Sequence, residues 1–362
     1  MKIGRTLQEL AIELERQQNA KRDLLVETPA LSIAPDIQAG RMALNINKGP
    51  GDDGIVEIES MGINDIAHRQ IGQHLGIPAR YYDKMHNEYP DLLAANVNGW
   101  FEKTPSTRMI RTLDGRARAF LSDRYRRIDN FEVAETVLPI IRDMNGATIE
   151  SCELTDARMY LKVVNPRIEA EVTKGDIVQA GLLITNSETG QGSVNVSPLI
   201  YRLVCSNGMI AADASLRKYH VGRVNEVGDN FDIYRDATIE ADDRAFLMKI
   251  EDTVRAAMDQ AKFEQIVGRM RESTEAKMAV KAVPKVVELT AKEFGLTQDE
   301  GNGVLGHLIQ GGDLSLYGLS SAVTRHAHDV DSYDRSTELE AAGWRIMTMS
   351  PALWRRFNEV NV

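Results

Sequence analysis

The spacing of apolar and polar positions divides the chain into stretches of different period. Leu7, Leu10 and Leu14 step by three and four among charged neighbours, so residues 5–26 read as an amphipathic helix. Pro29, Pro35 and the glycines from Gly49 to Gly54 mark a loop-rich stretch, after which IVEIES (55–60) alternates like a strand. Asn64 then suits an N-cap, Gly76 a helix stop, and Pro78 the first turn of a second helix. Two short helices in this rhythm occur in DNA-binding units and, far more often, as plain packing.

From 107 to 211 the period becomes two. TRMIRTL and RARAFLS, joined by Asp114–Gly115, carry a strong hairpin signal, because this dipeptide tolerates the positive φ of a tight turn. ATIESCE with RMYLKVV, then DIVQAGLLITNS with SVNVSPLIYRLVC, give two more hairpins, and Asn207–Gly208 predicts a further turn. FEVAETVLPIIRDM (131–144) is an amphipathic helix placed to cover one face. The expectation is one antiparallel sheet over 107–211.

Beyond about 236 the helical period returns. Leu247, Ile250, Val254, Ala257 and Ala261 fall on one face, Thr297-x-x-Glu300 is a capping box, and further helices are expected over 317–328, 336–343 and 351–359. The fold class is therefore α+β: an antiparallel β-sheet core with a covering helix, an N-terminal helical segment and a helical C-terminal region. The units expected are 1–60 (N-terminal helix and first strand), 61–235 (sheet core) and 236–362 (mainly helical).

Composition narrows the function classes. Two cysteines, Cys152 and Cys205, make neither a disulfide framework nor a four-thiolate zinc site. The N-terminus has no apolar signal-like core and no run of about eighteen apolar residues occurs, so the expectation is a cytoplasmic protein without a membrane partner. The net charge of −10 argues against a broadly basic surface, but the charge is uneven. Residues 101–127 hold Lys103 and Arg108, Arg111, Arg116, Arg118, Arg124, Arg126 and Arg127 against Glu102, Asp114 and Asp123.

With a two-residue turn at Asp114–Gly115, Leu113 pairs with Arg116 and Arg111 with Arg118. A like-charge pair directly across strands is destabilising, so something should neutralise it. A carboxylate from elsewhere would serve. A phosphate would too, since the guanidinium fork matches its oxygens. Arg124, Tyr125, Arg126, Arg127, Arg202, Arg217, Lys218, Tyr219, His220 and Arg223 would extend such a patch past the strand ends, with Phe120, Tyr125 and Tyr219 offering rings on which bases could stack.

Other candidate chemistry is weaker. Gly301, Gly303 and Gly306 match G-x-G-x-x-G, but a helix-capping sequence rather than a strand precedes them. His326, His328, Asp329 and Asp331 are metal-ligand types. On the helical reading of LYGLSSAVTRHAH, however, the two imidazoles point about 200° apart, so neither histidine is expected to bind a metal. Cys205 with His220 has the residue types of a thiolate–imidazole pair, but cysteine at the end of an apolar strand is commonly a small packed hydrophobe.

Three segments in order, RAFLSDRYRRIDN (118–130), YRLVCSNGM (201–209) and LYGLSSAVTRHAHD (316–329), resemble a phage- and plasmid-associated family of unknown function. The likeness spans roughly 40–345. It implies a mobile-element origin and brings no catalytic residues. A weaker likeness is to single-strand annealing proteins of recombination, which set basic and aromatic residues along a groove in a helix-backed antiparallel sheet and form rings.

Together these features lead to an expected non-enzymatic protein, without cofactor, that binds single-stranded DNA as a homo-oligomer during recombination or replication. Phage or host replication and recombination proteins are its further expected partners. The rival readings are a metal-dependent or cysteine hydrolase, and an interaction protein acting against host defence.

Overall fold

The computed structural model describes residues 1–36, 41–51, 54–125, 127–211 and 236–359. Helix α1 (Leu7–Ala20) opens on a capping box in which Thr6 and Glu9 bond each other's backbone N–H groups. Leu10 and Leu14 are buried, while Leu7 stays largely exposed. The helix stops at Ala20 rather than running on to 26. Residues Lys21–Glu27 form strand β1, which pairs antiparallel with β5 (Thr107–Leu113). That pairing is made across eighty residues or more, so local periodicity carries no trace of it.

Strands β2 (Leu31–Asp36), β3 (Arg41–Pro50), β4 (Val56–Ile63) and β6 (Arg116–Ser122) complete a six-stranded sheet of order β1-β5-β6-β4-β3-β2. The β4–β6 pair is parallel. A parallel neighbour needs a crossover, and helices α2 (Asp65–His74), α3 (Ala79–Glu88) and α4 (Pro90–Lys103) supply it. Asn64 caps α2 through Ala67 N, as its position predicts. Ile71, Leu93, Val97 and Phe101 pack on Ile33, Leu44, Ile110 and Phe120 to close this core.

A second sheet is a five-stranded antiparallel meander, β7 (Thr148–Leu154), β8 (Met159–Thr173), β9 (Asp176–Asn186), β10 (Asn195–Arg202) and β11 (Asn207–Ile210). The single sheet expected over 107–211 is therefore two. The Asp114–Gly115 hairpin joins the first sheet through β1 and β4, and only the later strands form the second. The last turn also lies earlier than expected: residues 203–206 make it, with Ser206 at φ 50°, and Asn207–Gly208 begins β11.

Both faces of the second sheet are covered. On one face Leu161, Val163, Leu182 and Ile184 pack under α5 (Asn130–Asp143), the predicted covering helix, with Leu10 and Leu14 of α1 and Ile250 and Val254 of α6 (Asp236–Ala257). Farther along it, Val178, Ala180 and Ile200 meet α7 (Gln260–Glu275). Asp259 caps α7, so the stripe expected to run from Leu247 to Ala261 is split between two helices.

The remaining helices, α8 (Val283–Phe294), α9 (Gln298–Gly311), α10 (Leu316–His326), α11 (Tyr333–Met347) and α12 (Pro351–Asn358), share their own core. Helix α11 closes the second face of the meander. Tyr333 packs on Tyr160 and Leu199, and fully buried Lys162 donates to Glu340 Oε2 at 2.6 Å. Among the described residues no helix is long and apolar enough to cross a membrane.

Candidate anion-binding cleft

The Asp114–Gly115 turn has φ values of 52° and 72°, the double positive φ that this dipeptide tolerates. Leu113 pairs with Arg116 as expected. The next step fails: Thr112 pairs with Ala117 and Arg111 with Ala119, so Arg118 is the extra residue of a bulge. Arg111 and Arg118 are not cross-strand partners, and neither lies on an open sheet surface. Arg111 is fully buried and Arg118 nearly so.

Each guanidinium meets carboxylates brought from distant sequence. Arg111 reaches Asp23 through Nε (2.8 Å) and Nη2 (3.1 Å), Asp129 through Nη2 (2.7 Å) and the Glu188 carbonyl through Nη1 (3.1 Å). Burial opposes its charge, but Asp23 and Asp129 outweigh that and raise its pKa. The reciprocal holds at Asp129, where burial is outweighed by the Arg111 charge and the Lys21 ammonium, so the carboxyl sits below its usual range. Arg118 donates to Glu188, whose other oxygen accepts from Asn130 N at 2.6 Å. Asp23 lies on β1, Asp129 caps α5 and Glu188 belongs to the β9–β10 connection, so these ion pairs stitch the two sheets together. Gln70 adds a neutral bridge, accepting from Phe120 N and donating to Thr189 O, both at 2.8 Å.

Two of the three rings expected to stack on bases, Tyr125 and Phe120, are used internally. Tyr125 packs on Met109, Ala119 and Leu121 and donates to Ser187 O at 2.9 Å, and Phe120 stacks on Phe101. Arg202 is held by Asp176 at 2.6 and 2.7 Å over the Tyr317 ring. It pairs across from Val178, eight residues along β9 from Asn186. At about 3.4 Å per residue that puts it roughly 27 Å from the Glu188 end of the sheet. The expected continuous patch is thus divided. Arg126, Arg217, Lys218, Tyr219, His220 and Arg223 lie outside the described residues, and so does the Cys205–His220 pairing.

Exposed basic groups do gather on the other side of the hairpin. A cleft of about 260 Å³ opens where α1, the hairpin turn and the β7–β8 turn meet, lined by Arg5, Arg16, Arg116 and Arg118 with Glu13, Asp114 and Asp156. Arg5 pairs with Glu153, and Arg16 with Glu13 and Asp114. Arg116 is exposed and has no carboxylate partner among the described residues. Arg118 Nε is buried without a hydrogen-bond partner. Arg5 and Arg16 were missed in the sequence, since they lie in the N-terminal segment, about a hundred residues before the hairpin arginines. Arg124 is exposed, and Arg127, 59% exposed, reaches Asp23 at 3.6 Å.

In the C-terminal helices the two histidines of the H-x-H motif diverge, as helical spacing requires. His328 meets the Met1 amino group, and burial first, then that group's charge, pushes its pKa down to about 4. His326 turns the other way, toward Asp329 and His307 of α9. Asp331 is exposed and stands apart from this group. His307 was not singled out because its partners lie a helix away. Gly301, Gly303 and Gly306 lie inside α9, which removes the phosphate-loop reading of their spacing.

Neither a curated protein nor a solved structure matches the chain. Residues 119–343 match the model of a domain of unknown function, DUF932. The matched stretch runs from β6 to α11 and takes in the whole meander, the Asp129 and Glu188 partners of the hairpin arginines, and the histidine group. It covers more than half of the sequence, and on that ground the chain belongs to the DUF932 family.

Proposed function

We propose that the protein binds single-stranded nucleic acid without covalent chemistry, seating a backbone phosphate in the cleft between α1, the hairpin turn and the β7–β8 turn. The observation that carries this reading is the set of arginines there, above all Arg116, exposed without a carboxylate partner among the described residues, beside Arg118, whose Nε has no hydrogen-bond partner among them. Glu13 and Asp114 compete for Arg16, but an exposed ion pair contributes only about 0–1 kcal/mol, so a phosphate can exchange with it. Arginine suits the exchange because its fork bonds two phosphate oxygens at once. The choice of a nucleic-acid strand over a free anion, and the phage or plasmid setting in recombination or replication, come from the likeness to annealing proteins. A homo-oligomer belongs to the same reading.

The test is fluorescence anisotropy with single-stranded DNA, single-stranded RNA and duplex DNA over a salt series. Three exposed arginines, Arg5, Arg16 and Arg116, predict a single-strand slope of log K against log salt no steeper than about −2, at roughly −0.7 per phosphate contact. Binding of neither strand type at low salt would remove the proposal.

A further inference from the structure

We propose that His307, His326 and Asp329 bind a divalent transition-metal ion of the zinc type. One ligand atom from each residue lies within 4.8 Å of the other two. Asp329 Oδ2 is 2.6 Å from His307 Nε2 and 3.1 Å from His326 Nδ1, so both rings already aim their nitrogens at one point. Tetrahedral zinc with bonds of about 2.0–2.2 Å separates its ligand atoms by roughly 3.3 Å, so the two carboxylate–imidazole distances need open by less than about 1 Å to admit it. Two imidazoles and a carboxylate favour zinc or its neighbours over magnesium or calcium, which take oxygen ligands. Asp329 is 47% exposed, which leaves solvent access for a fourth ligand.

The scaffold beneath the three residues is firm. Helix α9 carries His307, α10 ends on His326, and Asp329 follows in the next turn. Val304 and Leu308 pack against Leu319, Val323 and Ala327, fixing the two helices together under the site. Gly303, one turn before His307, is what lets the second imidazole approach. A Cβ there would fall 2.4 Å from His326 Cε1 and 2.5 Å from its Nδ1.

The experiment is calorimetric titration of the metal-free, tag-free full chain with Zn²⁺, repeated with Co²⁺ and read by visible absorption. The expected result is one ion per chain and the cobalt band of a site containing nitrogen ligands. His326→Ala and His307→Gln should each weaken binding by at least about 100-fold, since loss of a mere supporting group costs about 10–100-fold. His328→Ala should leave binding unchanged. Gly303→Ala retains all three ligands and only displaces the free end of a side chain, so it should fold normally and still lose the ion. Substoichiometric binding, binding indifferent to His326→Ala, or undiminished binding by a folded Gly303→Ala variant would each overturn the proposal. The measurement involves no nucleic acid, so its outcome is independent of the cleft.

Discussion

Arg111 and Arg116 stand on one hairpin, a turn apart, and have opposite surroundings. Arg111 points into the junction between the two sheets and is enclosed by Asp23, Asp129 and the Glu188 carbonyl. Arg116 is the first residue of β6 and is exposed, and its stem passes close to Gly62, where an added Cβ would fall 3.8 Å from Arg116 Cγ. Identical side chains therefore do different work. The first is an element of architecture, because a charge with no access to water persists only when carboxylates surround it. The second is exposed and has no carboxylate partner among the described residues, as the proposed phosphate contact requires. A count of arginines along 101–127 cannot separate the two, and the contrast makes measurable claims.

The largest effect belongs to Arg111. Replacing it with glutamine leaves Asp23 and Asp129 facing each other at the junction, with Lys21 beside Asp129 and the exposed Arg127 beside Asp23 as remaining countercharges. Breaking one side of such a buried pair typically costs about 3–5 kcal/mol. Urea unfolding of Arg111→Gln should show a loss of that order. A variant as stable as the parent would mean that the junction is open to water and that the contrast with Arg116 is false.

Acid should narrow that gap. Asp129 has a folded pKa below its unfolded value of about 3.9, so its ionic contribution is fully present above that pH and is lost as pH falls through the folded value. Without Arg111, Lys21 is left to oppose burial at Asp129, and the carboxyl takes up its proton at a higher pH than in the parent. The parent should therefore lose more stability than Arg111→Gln between about pH 5 and pH 3, bringing their urea midpoints closer. Midpoints that fall in parallel would show that Asp129 does not carry the coupling.

What the sequence disclosed and what it withheld divide along the same line. Signals confined to a few residues were readable: the Asp114–Gly115 turn, the Asn64 cap, the Thr297–Glu300 box and the covering helix over 131–144 all stand in the structure. The α+β class followed from them. Features that need a distant partner were not readable. KRDLLVE became a strand because β5 offered an edge, the bulge at Arg118 shifted the register by one, and Asp23 and Glu188 arrived from far along the chain. At the candidate sites the same limit applied. Arg116 was among the expected binding residues, whereas Arg5 and Arg16 join it only through the packing of α1, and His307 joins His326 only through the packing of α9 on α10.

The smallest expected change in stability is also the one that bears most on function. Arg116→Gln removes an exposed charge with no carboxylate partner among the described residues, and surface substitutions of this kind stay within about 0.5 kcal/mol. Its turn is set by Asp114 and Gly115, and its pairing with Leu113 is made by backbone groups, so neither depends on the guanidinium. If a phosphate sits in the cleft, the same variant should bind single strands more weakly across all sequences and reduce the magnitude of the salt slope by roughly 0.7. Arg16→Gln should act alike, but less strongly, because Glu13 and Asp114 already hold part of its charge. Arg111→Gln, compared at a temperature where it remains folded, should leave the slope unaltered, since its guanidinium has no exposed surface to offer. An Arg116→Gln protein with unchanged stability and unchanged affinity would leave the cleft without a ligand and Arg116 with neither an architectural nor a binding role.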